Sequence, residues 1–586
     1  MKNKHIFLGA LIVSSNIINA QYEDKPLGTE SVTVTNTYRP EIQDAFKIND
    51  NPIVEDKEVI EKREIKYNIF SFPVASTFVP AKATAATVDD EVFNPYFNNY
   101  ALVGAGGYKS LRAELGIVEK IDDKNYIGGF IKHRSSGGGI DGVENPNGYN
   151  RSGLNLVYGN QTSEREWTIN IGTNYSKFHW YGVHPDVNFT TLGITKVGDT
   201  QTYQDVTAGT KLHLYNKGLE SIDANYTFFK DGFGAKESRL IFSPRFVVPI
   251  SDKKLPILVK ADWVTSKMEN YRTNTHNGDY NYFILSAEPH ITFTEDNYSV
   301  QLGAGVAHIV GDNQGNKDNS LLIYPKIKAN VDLVPDIVIG YLGIDGGVSQ
   351  NTYKTLSESN PHISIETSLL PTKKTYDIFA GLKGKLYHNI SYNLRGAYKD
   401  EHQKALFTSS IYNTTLSVRE PFEYGNTFNV KYDDVKTVSL FGELTFDLKD
   451  VKIDTYGLYN SYQTTNEDFA YNLPIIEAGL KTHVDFSPKV YADLHLYFVG
   501  DRRDYLRKKQ LVGTNVVDIP PTEIKMAGYT DVNLTLGYNP TNQWTVFASG
   551  INLLNQKYFT YTNYRAQGIH AIIGAMYKFD FRKKQH

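Results

Sequence analysis

Apolar and polar residues alternate one for one along most of this chain, and the pattern is cleanest at its end. In residues 568–581, Ile569, Ala571, Ile573, Ala575, Tyr577, Phe579 and Phe581 share one face of an extended strand. His570, Gly574, Lys578 and Asp580 share the other, with Ile572 and Met576 as exceptions. A two-residue period predicts a strand with one apolar face. Crossing an outer membrane takes roughly 9 to 11 such residues, apolar toward lipid and polar toward the lumen. The period recurs in Tyr376, Ile378, Ala380, Leu382 and Leu386 against Asp377, Gly381, Lys383 and Lys385. After a turn at His388-Asn389 it resumes with Ile390, Tyr392, Leu394 and Tyr398, which predicts a hairpin. Residues 490–498 and 531–538 repeat it.

Between about residue 96 and residue 581 such segments number roughly 20 to 22, and antiparallel closure favours an even total. The expected fold is therefore all-β: a transmembrane antiparallel barrel of outer-membrane type with about 22 strands. Connections divide into short turns at 122–124, 251–253 and 539–541 and long segments at 135–149, 181–200, 401–433 and 500–527. Such barrels keep short turns on the periplasmic side and long loops outside, so the long set should face outward.

Composition changes the picture in three places. Hydrophobic residues make up only 40%, consistent with strands that alternate and with no span of helical type. Forty-one Tyr and 30 Phe fit aromatic girdles at two membrane interfaces. Cysteine is absent, which excludes disulfides and thiolate metal sites. A net charge of −4, without a basic stripe, gives no argument for nucleic acid. Lys2, Lys4 and His5, followed by an apolar run at 6–13 and Ala20, read as a signal peptide over residues 1–20. Residues 21–95 are dense in charge at 55–64 and Pro- and Ala-containing at 72–87; they read as a periplasmic or luminal arm, or as a leader serving only as a spacer. Residues 582–586 form a short tail beyond the barrel, 96–581.

No motif assigns catalysis. The glycine run at 104–107 lacks the Gly-Lys-Ser/Thr ending of a phosphate loop and suits a strand bend or close backbone approach. Residues 312–318 place glycine wrongly for an EF-hand, and His179 with His184 lacks a third ligand. The densest charge cluster holds Arg502, Arg503, Arg507, Lys508 and Lys509; in an outward loop it is either a solvated surface or a contact for anionic surface sugars or a partner protein. No nucleophile has a base and an orienting acid nearby, so neither an enzyme nor a cofactor is expected.

Residues 544–559, with Asn552-Leu553-Leu554-Asn555-Gln556-Lys557-Tyr558 at their centre, then Tyr564, Arg565, Gly568 and the last strand, resemble the ending of TonB-dependent outer-membrane receptors. At the other end, Glu30, Ser31, Val32, Thr33, Val34 and Thr35, with Arg39, resemble the leader that opens the plug domain of that family. The resemblance implies a 22-strand barrel. Fewer than seventy residues separate Val34 from the first strands, too few for the family's folded plug, so the expectation is a receptor-type barrel without one. A wide lumen left open would leak; residues 67–78 and the loops 401–433 and 500–527 are the expected occluders.

Two functions remain open. One is transport or uptake across the outer membrane as a receptor or channel component; the other is a non-transporting scaffold in an envelope assembly or secretion complex. Expected partners are outer-membrane lipid and a surface lipoprotein or other envelope protein; the small-molecule ligand is unidentified.

Overall fold

The computed structural model describes residues 97–188, 200–215, 218–268, 279–416 and 419–581. Residues 21–95, with the leader-like segment Glu30 to Thr35, lie outside them, as do the signal-peptide region and the tail. Among the described residues 22 strands form one sheet, each antiparallel to its chain neighbour in the wall. The first wall strand, Asn99–Gly106, pairs with the second, Ser110–Lys120, and also with the last, His570–Phe579. That second pairing closes the sheet into a barrel and removes both edges. No helix in the described part is long and apolar enough to cross a membrane.

Alternation sorts the side chains as the period demands. On Ser110–Lys120, Arg112 and Glu114 are buried on the lumen side while Leu111 is exposed on the outside. Along Asn316–Val334, Leu321 and Ile323 point out with 63% and 70% of their surface free, and Tyr324 points in, buried. The inward charges are paired: Arg239 grips Asp262 through two hydrogen bonds of 2.8 and 2.7 Å, and Lys326 lies 2.9 Å from Asp345. Pairing is what makes burial of such groups tolerable.

The Tyr surplus has a second use besides the outward rings such as Tyr298 and Trp263. Among the described residues seven Tyr side chains lie over a glycine directly across the ladder: Tyr100 on Gly116, Tyr126 on Gly159, Tyr282 on Gly311, Tyr324 on Gly305, Tyr341 on Gly381, Tyr456 on Gly479 and Tyr491 on Gly537. A Cβ on Gly537 would fall 2.0 Å from the Tyr491 ring. The ring covers the backbone that glycine leaves bare, and pins register. The 104–107 glycines serve the seam, where a Cβ on Gly106 would sit 1.9 Å from the Ala571 carbonyl oxygen.

At one end of the barrel ten connections run two to five residues, including 251–252, 388–389 and 539–543. Those at the other end are mostly longer, up to 500–528. One expected loop needs correction, and two long connections carry structure of their own. The 401–433 loop is really 410–427, because Ile390–Ser409 and Phe428–Asp447 stay paired around a bulge between Glu401 and Lys404. The 500–527 segment is a long connection, as expected, and within it Arg502–Val512 and Asn515–Met526 form a hairpin, joined by a parallel pairing to Ile411–Asn413. Residues 350–371 form a further long loop with a short helix, Tyr353–Ser359.

Candidate functional site

The long loops meet over the mouth. Loop 350–371 leaves the thirteenth wall strand, Val338–Ser349, and folds inward instead of outward. Its apolar residues Ile363, Ile365 and Leu369 are nearly fully buried. Polar bonds tie it to strands far from its origin. The Glu237 carboxylate accepts the backbone N–H groups of Tyr353 and Lys354 at 2.6 and 3.2 Å. The Tyr353 hydroxyl donates to Asp231 at 2.9 Å, Tyr203 donates to the Pro361 carbonyl at 3.0 Å, and Asn313 donates to Ser368 at 2.7 Å. These partners span the sixth to the eleventh wall strands, so the loop lies along the inner wall.

Residues 180–188 follow the fifth wall strand and the connection 410–427 precedes the sixteenth, so the two start from nearly opposite walls. They are nonetheless bonded: His184 N–H donates to the Tyr424 carbonyl at 2.8 Å, and Asn426 Nδ2 donates to the Trp180 carbonyl at 2.9 Å. Trp180 is buried between Phe233, stacked at 5.0 Å, and Phe422 at 6.0 Å. A closed 22-strand wall with strands about 4.8 Å apart and tilted about 40° is roughly 40 Å across, so contacts of this kind roof the opening.

Loop 552–569 supplies the hub. Tyr564, fully buried, donates to the Asn426 carbonyl, stacks on His362 with ring centres 3.6 Å apart, and meets Tyr181 edge-on at 4.8 Å. Burial holds the His362 imidazole neutral, its pKa down at about 3, with the Arg151 charge adding to the effect. The Asn552 to Tyr558 motif starts this loop. Asn552 and Asn555 adopt positive φ, tolerated by Asn, and Asn552 donates to the Gln556 and Gln567 carbonyls at 3.1 and 2.9 Å. Tyr558 donates to Asp531 at 2.6 Å and stacks on Tyr529 at 3.9 Å. The motif is a folded corner that fixes where the loop points.

One carboxylate joins three segments. Asp504 is fully buried and accepts from Thr408 Oγ1, Ser409 Oγ and Thr562 Oγ1, each at 2.7 Å, and from the N–H of Tyr505 at 2.8 Å. The charge cluster divides around it. Arg502 is buried and donates to the Phe559 and Thr560 carbonyls, and Arg507 donates to Thr408. Arg503 is half-exposed and lies 3.7 Å from Glu523. Lys508 pairs with Asp186 at 2.8 Å across the vault and holds that carboxyl below its usual range; Lys509 pairs with Asp518 at 3.5 Å. His184 stacks on Tyr412, and the described residues hold no group of three His, Cys, Asp or Glu able to bind a metal.

Asp504, His362 and Tyr564 were missed as vault residues because a lone Asp, His or Tyr carries no local signal.

The fold is shared with solved outer-membrane receptors. Similar structures include the FrpB iron transporter from Neisseria meningitidis (TM-score 0.60, 8% identity, 83% of this chain and 82% of that one). The ferric-catecholate import receptor Fiu from K12 E. coli gives 0.59 at 11% identity, covering 83% and 82%. The siderophore receptor PirA from Acinetobacter baumannii gives 0.59 at 11%, covering 82% and 80%. No family model matches the chain, and no curated protein does. The wall is thus a 22-strand barrel that shares the fold of these solved outer-membrane receptors, the fold that the sequence resemblance implies.

Proposed function

We propose that the protein is an outer-membrane receptor-type barrel that takes part in transport or uptake, with its outer mouth held shut by its own loops and opened when they part. The short turns face the periplasm, together with the arm 21–95, and the long loops face outward. The observation that carries this reading is the bonding of loops from opposite walls, His184 to Tyr424 and Asn426 to Trp180. A mouth closed by hydrogen bonds and aromatic contacts rather than by the continuous wall is a part that can move while the barrel stays intact. The shared fold supports a receptor or transport role, and the apolar outer wall supports a lipid setting.

Planar-bilayer recording of the chain with and without residues 21–95, each with intact Asp504 and as Asp504→Ala, tests it. Little conductance with Asp504 intact and frequent openings in the Asp504→Ala form lacking the arm are expected. A large steady conductance with Asp504 intact would overturn the closed mouth. Silence in all four forms would favour the scaffold reading, in which a surface lipoprotein or other envelope protein docks on the barrel.

A further inference from the structure

Outside the vault, loop 465–475 and the base of the 502–526 hairpin bring aromatic rings and complementary charges together at the surface. Phe469 and Tyr505 are partly exposed, their rings 5.0 Å apart and inclined at 41°. Both rest on buried Tyr471. The guanidinium of Arg507 lies 5.5 Å from the centre of the Tyr505 ring and that of Arg503 lies 5.9 Å from the centre of the Phe469 ring. Exposed Asp468 accepts the Tyr505 hydroxyl at 2.9 Å, which fixes the ring's tilt. Arg503 keeps 54% of its side chain free, and its ion pair with Glu523 is long, at 3.7 Å.

The geometry points to a saccharide-binding platform at Phe469 and Tyr505, with Asp468 and Arg503 as its polar arms. A pyranose offers a face of C–H groups that packs on an aromatic ring and a rim of hydroxyls that both donate and accept. Asp468 accepts only and Arg503 donates only, so the pair matches neighbouring hydroxyls. The local charges, Arg503 and Arg507 against Glu467, Asp468 and Glu523, leave no positive excess for an anion, which selects a neutral sugar. The same chemistry reaches the outer loops from a free glycan or from the sugar core of a surface lipid. The platform uses the ring faces of Phe469 and Tyr505 and the side chains of Asp468 and Arg503, none of which bonds loops from opposite walls to one another, so it holds whether or not the barrel conducts.

The full chain in detergent is exposed to an array carrying methyl hexopyranosides, neutral oligosaccharides, deacylated lipopolysaccharide core oligosaccharides and heparin, and the best binder is then titrated. Binding to a neutral sugar is expected, with Kd weakened at least about tenfold by Tyr505→Ala and by Asp468→Asn and unchanged by Lys509→Ala. Heat-modified mobility on gels shows that each variant is folded, and Asp468→Asn carries the test if Tyr505→Ala is not. Retention of core oligosaccharides alone identifies the lipid source; retention of free saccharides identifies the soluble one. Capture of heparin alone, no captured sugar, or binding indifferent to both substitutions would overturn the platform.

Discussion

Replacing Asp504 with Ala removes the acceptor shared by Thr408, Ser409, Thr562 and the Tyr505 N–H. Hydrogen bonds to a charged acceptor contribute about 1.5–3 kcal/mol each, but bonds sharing one carboxylate do not add. The hydroxyls left behind are buried, so the net loss for the vault is about 3–5 kcal/mol. Hydrogen exchange reads this locally. Protection of amides in 408–413, 502–512 and 558–566 should fall by roughly 10² to 10⁴, since about 1.4 kcal/mol is tenfold, while amides in wall strands such as Ile390 to Glu401 stay protected. Asp504→Asn keeps the shape and should lose less. Equal protection in the Ala variant and the unsubstituted chain would refute the assignment of Asp504 as the joint; so would loss confined to the hairpin, because the argument requires all three segments to loosen together.

Burial holds His362 at a pKa of about 3, whereas a released imidazole protonates below 6.5. The vault is therefore fully stable above pH 6.5 and loses about 1.4 kcal/mol per unit as pH falls from there toward 3; His362→Phe removes that slope, and limited proteolysis of the loops at pH 7.5 and pH 5 checks it. Gly537→Ala drives a methyl group into the Tyr491 ring and should destabilise the barrel by about 1–3 kcal/mol, relieved by adding Tyr491→Ala, as read from urea unfolding in detergent or liposomes. Leu440, 58% exposed on the outer wall, should cost about 2–4 kcal/mol when changed to Lys in bilayers and much less in a soluble fold, so refolding into liposomes separates the two.

The wall was legible because most of its strands repeat one two-residue signal and the pairing is between chain neighbours. His388-Asn389 could be read as a turn from the alternation on either side, and Tyr387 does pair with Ile390 across it. The ending 552–558 was legible as a resemblance, while its physical role, two asparagines at positive φ turning the loop, is a property of the folded backbone that no residue pattern spells out. The vault was largely illegible. Asp504 meets Thr408 and Thr562 at separations of 96 and 58 residues, and no local pattern encodes such meetings. Residues 401–409 looked like loop because their charges mask the alternation, yet Lys404 pairs with Asp433 and Leu406 with Lys431 in the ladder. The cluster at 502–509 read as one basic surface, whereas Arg502 and Arg507 are internal ties and Arg503 stays in solvent.

The absence of native cysteine makes the closed mouth directly measurable, since Asp186→Cys with Glu420→Cys places two spin labels, on loops from nearly opposite walls, in an otherwise unlabelled chain. Pulsed electron resonance on the full chain in bilayers should give a narrow distance distribution below about 25 Å, as loops bonded across the opening require. A broad distribution centred near the roughly 40 Å width of the wall would mean that the loops stand apart, and would contradict the account.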